Sequence, residues 1–517
     1  MSLRAPEFLV ERSRVDEAVL ATALAAGGFT VSSAATRHEP LRRRWLDTFD
    51  WRLHRAGLEL EQVEANGETS FELRMDDGHD LGVPGAMPIE WPASADALPA
   101  SVVRDRVAAV TGIRALIATA CFEGSRATMR VLDDEDKTVA RLHVDTIPGD
   151  DRGPARVTVI PLRGYDRQAR RAGALLAALD GVAAAPDSCY EQSLAAAGRR
   201  FDDPQLARPG AGVTADMPAA AAIAGVLRTF LTTVEANVPG VLADVDTEFL
   251  HDLRVAVRRA RSTVKLAGDV LPGAPGAPRW AVERLATELK WLGDATTPTR
   301  DLDVYLLGVP AMAKRLRASR PTDLDAFRTQ LAGYRAEAFT RLAAELRSPR
   351  FVALGAHWRA VSALESSAAP PGPSVAEFGA ARLRRAHRRV LRLGSTITPL
   401  TPPAQLHALR KRCKELRYLI EIFEPVEPPR TRKRVLPVLK VLQECLGEFQ
   451  DSEVQAAAIR SFAGAMMAAG TAQPATLLAM GELAGQLDAD QQHARATFAG
   501  IFASFATATR KVHWHGQ

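Results

Sequence analysis

His251, Arg254, Arg258, Arg261 and Lys265 follow one another at spacings of three and four residues. On a helix turning ~100° per residue they fall in a stripe ~80° wide and about four turns long. One histidine and four permanent cations on one face suit the oxygens of a phosphate-bearing polyanion. Arginine supplies a planar fork, lysine a point charge, and histidine a further donor once it takes up a proton beside phosphate. Like charges at these spacings repel by about 0.2–0.5 kcal/mol per pair, so so regular a stripe calls for anions along it.

The stripe occurs twice. His407, Arg410, Lys414 and Arg417 repeat His251, Arg254, Arg258 and Arg261 at a constant offset of 156, with Glu421 in place of Lys265. At the same offset Leu227-Arg228 meets Leu383-Arg384; at an offset of 150, Leu289-Lys290-x-Leu292 and Asp301 meet Leu439-Lys440-x-Leu442 and Asp451. A single basic helix more often marks a solvated face than a site. A solvated face mixes signs, however, and two copies of one pattern do not agree by chance.

The elements that must position these residues are helical. From residue 219 onward the chain is rich in alanine, leucine and arginine, with apolar residues every three or four positions. Loops read at 271–278, 366–374 and 398–404, and Arg432, Lys433 and Arg434 read as a solvated cluster in a Pro-flanked loop. Matching blocks in the same order predict two related bundles, over about 219–365 and 375–510. The helix around His387 is basic almost all round, so its arginines cannot all face one ligand; Arg384 and Arg388 are its candidates.

The first 200 residues have another texture. Asp16 to Gly27, 167–182 and 189–199 read as helices, and LELEQVEA, TSFELRM, ATMRVLD, TVARLHVDTI and ARVTVIPL as strands. An antiparallel sheet or open barrel with a few helices follows, and the Pro/Gly/Asp-rich stretch 201–218 reads as a linker. The fold class expected is therefore multidomain α+β, an N-terminal β open barrel or tunnel followed by an all-α pair of four-helix bundles.

Composition sets the bounds. The chain has 517 residues, 47% hydrophobic and 25% charged, which excludes disorder and a disulfide mini-scaffold and allows two to four domains. Windows 251–265, 382–392 and 407–417 carry net charges of +4, +6 and +4, while the whole chain carries +5, leaving −9 on the rest. A nearly neutral chain with concentrated cationic segments wants a polyanion at one place. Cys121, Cys189, Cys413 and Cys445 form no CxxC, which suits a reducing cytoplasm and argues against zinc. No charge-free apolar run reaches membrane-spanning length, and the first residues become charged too soon for a signal peptide.

HDLRVAVRRARSTVK, LKWLGDATTPTRDLDV, LHALRKRCKELRYLIEIF and LKVLQECLGEFQD together resemble the CHAD domain, over roughly 219–510. The resemblance implies two four-helix bundles related by pseudosymmetry around a basic channel that binds inorganic polyphosphate. Its binding candidates here are His251, Arg254, Arg258, Arg261, Lys265, His407, Arg410, Lys414 and Arg417, with Lys290 and Lys440 from the LKxL blocks. It implies no cofactor and no metal, and cytoplasmic residence with polyphosphate granules as a further partner. Asp301 and Asp451 are expected to cap helices or orient arginines.

Residues 1–200 resemble the CYTH family, whose antiparallel tunnel grips triphosphate with basic residues and holds a divalent metal with glutamates. RRRWLDTFDWRLHRAGLELE, FELRM and RLHVDTI carry the likeness. The departures are large. Where that family opens with Glu-x-Glu-x-Lys, this chain has Leu9-Val10-Glu11-Arg12-Ser13; Glu61 and Val63 stand where arginines are expected, and ARVTVIPL holds no acid. Two or more carboxylates are needed to hold Mg²⁺ or Mn²⁺, and Glu11 and Asp145 do not suffice. Arg74, Arg126 and Arg130 read as an anion-contacting remnant or as plain surface arginines. The expectation is a domain without catalytic power and a non-enzymatic, polyphosphate-binding chain. The alternatives are a CYTH-type metal-dependent triphosphatase and a nucleic-acid-binding helical protein, the latter disfavoured by 6% aromatic content with few rings near the stripes.

Overall fold

The computed structural model describes all residues except 1–5, 12–16, 33–38, 66, 77–79, 148–153, 202–209, 211, 272–277, 364–371, 425, 511, 513 and 515–517. Outside the described residues lie half of the expected linker 201–218, Asp16 of the first expected helix, Arg12 and Ser13, and most of the loops 271–278 and 366–374. The chain divides into two compact units, Met1–Asp203 and Pro204–Gln517.

In the first unit the order is β1 (Glu7–Val10), α1 (Glu17–Ala25), β2 (Thr30–Ser32), β3 (Glu39–Thr48), α2 (Arg52–Arg55), β4 (Leu58–Ala65), β5 (Glu68–Met75) and β6 (Asp80–Ala86). Then come α3 (Val102–Thr111), β7 (Leu116–Leu132), β8 (Thr138–Thr146), β9 (Ala155–Pro161), α4 (Asp166–Ala177), β10 (Val182–Ala184) and α5 (Cys189–Ala196). The strands form one antiparallel sheet in the order β10-β1-β9-β8-β7-β3-β4-β5-β6, with β2 also on β7. Among the described residues β6 and β10 do not pair, so the sheet is open. The 17-residue β7 serves β3 with Leu116–Arg126 and β8 with Ser125–Leu132. Only its second half was legible as a strand.

Strict alternation gives the sheet two unlike faces. On one, Leu60, Phe71 and Leu73 pack on Val103 and Val107 of α3, while Leu142, Val144, Val157 and Val159 pack on Leu20 and Leu24 of α1 and Leu176 of α4. The other carries Arg43, Glu61, Glu72, Arg74, His143, Asp145 and Arg156. The helix expected to 182 stops at Ala177, because Gly181 turns the chain at φ 80° and Val182–Ala184 pairs with β1. The helix expected over 189–199 is α5, opened by a Ser188–Glu191 capping box and closed at Ala196.

Among the described residues the second unit is built from nine α-helices: α6 (Ala219–Leu242), α7 (Thr247–Ala267), α8 (Arg279–Arg315), α9 (Asp325–Leu346), α10 (Pro349–Val361), α11 (Val375–Gly394), α12 (Pro403–Ile422), α13 (Pro429–Ala468) and α14 (Pro474–Thr509). Helices α6 to α9 pack in chain order and α6 closes on α9, with α10 added against α6 and α8. Helices α11 to α14 repeat the arrangement, closed where His387 of α11 meets Phe505 of α14. The far ends of the two sets share a core in which Tyr305, Phe327 and Leu331 meet Ile459, Met480 and Leu483.

Local sequence explains the helix starts. Asp246 caps α7 by accepting from the amides of Glu248 and Phe249, Ser374 and Glu377 form a capping box on α11, and α12, α13 and α14 each carry proline in the first turn. At Gly240 any Cβ would run into the Phe249 ring, so the glycine sets the close approach of α6 to α7. Arg432, Lys433 and Arg434 correct the sequence reading. They lie in the first two turns of α13, not in a loop, because Pro429 sits at the start of that helix and does not interrupt it. Helix α6 is long and apolar enough to cross a membrane, and 61% of its apolar stretch is buried within the bundle.

Candidate anion-binding site

The two stripes lie on α7 and α12, which run antiparallel against each other. Lys265 Nζ meets Glu415 Oε1 at 2.8 Å, and Arg259 Nη2 meets Glu421 Oε2 at 3.1 Å. The offset of 156 carries Lys265 onto Glu421 and Glu415 onto Arg259. One ion pair thus maps onto the other with its charges exchanged, the signature of an isologous contact about a two-fold axis. These pairs place the axis between Ser262 and Tyr418, and Arg258 and Lys414 are equivalent residues four positions before it on each helix.

Their electrostatics agree. The Lys414 ammonium is pushed down to about 8 by burial, then by Arg410 of its own helix and Arg258 of the other, against the pull of Asp451. Among the described residues, Arg258, Arg261 and Lys414 make no ion pair. His251 is held below its ordinary value by burial and by Arg300. It is therefore mainly neutral near pH 7 and free to gain charge beside an anion.

The arginines that open the stripes are held by the long helices. Arg254 Nη1 donates to Gly293 O at 3.1 Å, Thr296 Oγ1 at 2.8 Å and Thr297 Oγ1 at 2.9 Å, all on α8. Arg300 of α8 in turn donates to Thr247 O of α7 at 3.0 Å. In the second copy Arg410 Nη2 lies 3.1 Å from Asp451 Oδ1 on α13. Asp451 therefore orients an arginine, and Asp301 acts electrostatically on Arg254; both lie mid-helix and cap nothing. His407 Nδ1, Arg410 Nε, Gln443 Nε2 and Gln450 Oε1 are buried without a hydrogen-bond partner. Such groups are rare in folded proteins, and these four gather on α12 and α13.

The remaining candidates scatter. Lys265 is committed to Glu415 across the helix pair, and Arg417 Nε meets Glu421 Oε1 at 2.8 Å. Lys290 and Lys440 are exposed and sit beside acids one turn on, Asp294 at 2.5 Å and Glu444 at 3.6 Å, so neither joins the stripes. Arg384 and Arg388 lie on α11 roughly opposite Arg382, Arg385 and Arg389, and it is this second trio that turns toward α7 and α12. Sequence reasoning missed Gln443, Gln450, Thr296 and Thr297. The 150-residue offset that pairs Arg300 with Gln450 was the available signal.

The polar face of the first unit is neutralised from within. Arg43 is bound to Glu61 through two hydrogen bonds, the second 2.9 Å long, and stands 3.7 Å from Asp145. Arg126 grips Asp145 through two bonds of 2.6 and 2.7 Å, Arg74 reaches Glu59 at 3.2 Å and Glu61 at 3.6 Å, and Arg156 is bound to Glu7. Burial alone would raise Glu61, but the guanidinium of Arg43 holds it below its ordinary value. Burial and then Arg126 drive His143 down to about 4, so it is neutral. Asp145 is thus taken by arginines, and among the described residues Arg130 reaches only Ser32 Oγ, at 3.4 Å. Among the described residues no three His, Cys, Asp or Glu side chains gather as a metal site.

Antiparallel helices in pseudo-two-fold bundles, with repeated basic rows at their crossing, define the class of the second unit. Residues 225–460 match the CHAD domain family, so the chain carries a CHAD domain. Among solved structures it is similar to the CHAD domain from the plant Ricinus communis (25% identity over 60% of this chain and 97% of that one, TM-score 0.47). It is also similar to PptA from Streptomyces chartreusis (20% identity over 55% and 99%, TM-score 0.44). No curated protein matches significantly.

Proposed function

We propose that the CHAD domain binds inorganic polyphosphate without turning it over, along the crossing of α7 and α12. The observation that carries this reading is the electrostatic coupling of Arg258 and Lys414, one from each copy, in a row where, among the described residues, Arg258, Arg261 and Lys414 form no ion pair. A dense linear polyanion supplies the missing charge, and His251, Arg254, Arg261, His407, Arg410 and Arg417 extend the row to either side. The unsatisfied donors of Arg410 and Gln443 add hydrogen bonds to phosphate oxygens. In this proposal residues 1–200 are a catalytically degenerate CYTH-like companion, 201–218 a linker and 219–510 the binding domain. The protein works in the cytoplasm, at polyphosphate granules. The pairing of Arg43, Arg74, Arg126 and Arg156 with carboxylates, among the described residues of the first unit, weighs against a triphosphatase.

Competition tests the reading. Fluorescently labelled long-chain polyphosphate bound to the full chain should resist displacement by a 20-mer RNA at equal phosphate concentration. Full displacement would favour the nucleic-acid reading instead. A parallel incubation with tripolyphosphate and Mg²⁺ or Mn²⁺ should release no orthophosphate; metal-dependent release abolished by Glu11→Gln would establish the enzyme.

Affinity should also depend on pH. Free Lys414 loses its proton near 8, below its ordinary 10.5, while a bound anion favours the charged form. Polyphosphate affinity is therefore expected to fall as pH rises above 8, by up to about tenfold per unit for one linked proton. Lys414→Arg, permanently charged, should flatten that limb in a titration calorimetry series. Without anion the sign for folding is opposite. The folded state binds fewer protons than the unfolded between about 8 and 10.5, so this group adds stability as pH rises through that window.

A further inference from the structure

Beside the α7–α12 pair, on the side of α11, lies a cavity of about 210 Å³ lined by Lys265, Arg382, Arg385, Arg389, Glu415 and the apolar side chains of Leu266, Ala386 and Leu419. Four of its liners are cations and one is an acid. Glu415 is already engaged, by Lys265 at 2.8 Å and by Arg412 at 2.7 Å, and Arg382 is bound to Asp269 while stacked on Phe378. Among the described residues, Arg385 and Arg389 have no carboxylate partner. Burial, then Arg385 and Arg412, hold the Arg389 guanidinium below its ordinary value.

The cavity shares Lys265 with the α7 stripe but no cation with the α12 stripe. Glu415 sits about 100° around α12 from Lys414. Nor does the pseudosymmetry repeat it. The 156-residue offset carries Arg382, Arg385 and Arg389 onto Val226, Thr229 and Thr233 of α6, and Lys265 onto Glu421. Core positions agree between the copies while these do not, so the charge here belongs to one side of one copy. A duplicated scaffold that concentrates uncompensated arginines at one of two equivalent places has a ligand to hold there. Arg385 and Arg389 are one turn apart, the spacing at which two guanidinium groups clasp one tetrahedral anion.

We propose that this cavity is a second, separate anion site that takes a compact phosphoryl dianion, held by Arg385 and Arg389 with Lys265 and Arg382 completing the ring. Such a dianion is either a small free phosphate compound or the terminal phosphoryl group of a longer chain. Glu415 on the cavity wall disfavours extended negative charge.

Calorimetric titration of the full chain with inorganic pyrophosphate tests this. Arg385→Gln with Arg389→Gln should weaken pyrophosphate binding by about tenfold or more, as expected for the loss of one or two charge-assisted hydrogen bonds. Arg410→Gln with Lys414→Gln should leave this binding in place. Glu415→Gln, which removes the only acid of the wall, should tighten it several-fold, a gain that misfolding cannot mimic. Displacement of bound pyrophosphate by long-chain polyphosphate, but not by the same polymer with blocked ends, would assign the site to chain termini; displacement by neither would assign it to small free phosphates. Pyrophosphate binding unchanged by the Arg385 and Arg389 substitutions would overturn the proposal, as would equal loss in the Arg410 and Lys414 variant. Because its two unpaired arginines, Arg385 and Arg389, lie on α11 outside the α7–α12 row, this site stands or falls apart from polyphosphate binding.

Discussion

Arg258→Gln combined with Lys414→Gln is expected to lower the affinity for long-chain polyphosphate by about a hundredfold or more. Each side chain contributes a charge-assisted hydrogen bond, worth about 1.5–3 kcal/mol, so the pair accounts for about 3–6 kcal/mol. The two come from different copies of the repeat and interact electrostatically, so one stretch of polyanion is expected to touch both. The loss should therefore exceed that from Lys290→Gln with Lys440→Gln, whose ammonium groups sit beside Asp294 and Glu444 on exposed faces. Folding should not suffer. Arg258 is exposed, Lys414 is only half-buried, and removing either relieves repulsion in the unliganded row. Equilibrium titration with labelled polyphosphate, alongside helical circular dichroism, measures both effects.

Glu61→Gln should be the most damaging single change in the first unit, lowering its unfolding free energy by about 3 kcal/mol. Glu61 is 1% exposed and Arg43 7%, so the pair is almost wholly removed from water. Breaking a buried pair from one side strands the other charge, at a cost of about 3–5 kcal/mol, and Asp145 at 3.7 Å offsets part of it here. The pH sign follows from the lowered Glu61 value. Its stabilisation is complete above the ordinary carboxylate value of 4.5 and is lost as pH falls through the lower folded value. Denaturant unfolding followed by tryptophan fluorescence, with Trp45 in the same layer, reads the change. A loss below about 0.5 kcal/mol, the scale of an exposed pair, would show that the network is solvated.

Features with a local period were legible in the sequence. The alternation of LELEQVEA marked β4 to the residue, and the three- and four-residue spacing marked α7 and α12 as helices. The internal offset foretold the repeat, because equivalent residues must fill equivalent places in a pseudo-two-fold pair. What was not legible depends on partners distant in sequence. Lys265 has the right angle to join the basic row, yet Glu415, 150 residues away, claims it. Arg43 and Glu61 are 18 residues apart and read as a missing arginine site until β3 and β4 set them side by side. Strand β6, Asp80–Ala86, and helix α3, Val102–Thr111, escaped notice because glycine, proline or a short apolar stripe weakens their periodicity. The proline-initiated α13 was misread at Arg432 for a related reason: proline stops one helix and starts the next with equal ease.

The salt dependence of binding is the most direct test that both copies grip one polyanion. Affinity for long-chain polyphosphate, measured from 50 to 300 mM KCl, should fall linearly on a double-logarithmic plot. The slope should be shallower by about 1.4 in the Arg258→Gln, Lys414→Gln variant, at roughly 0.7 per phosphate-neutralising cation. Identical slopes for the two proteins, or a slope near zero for the native chain, would mean that these residues do not hold the polyanion.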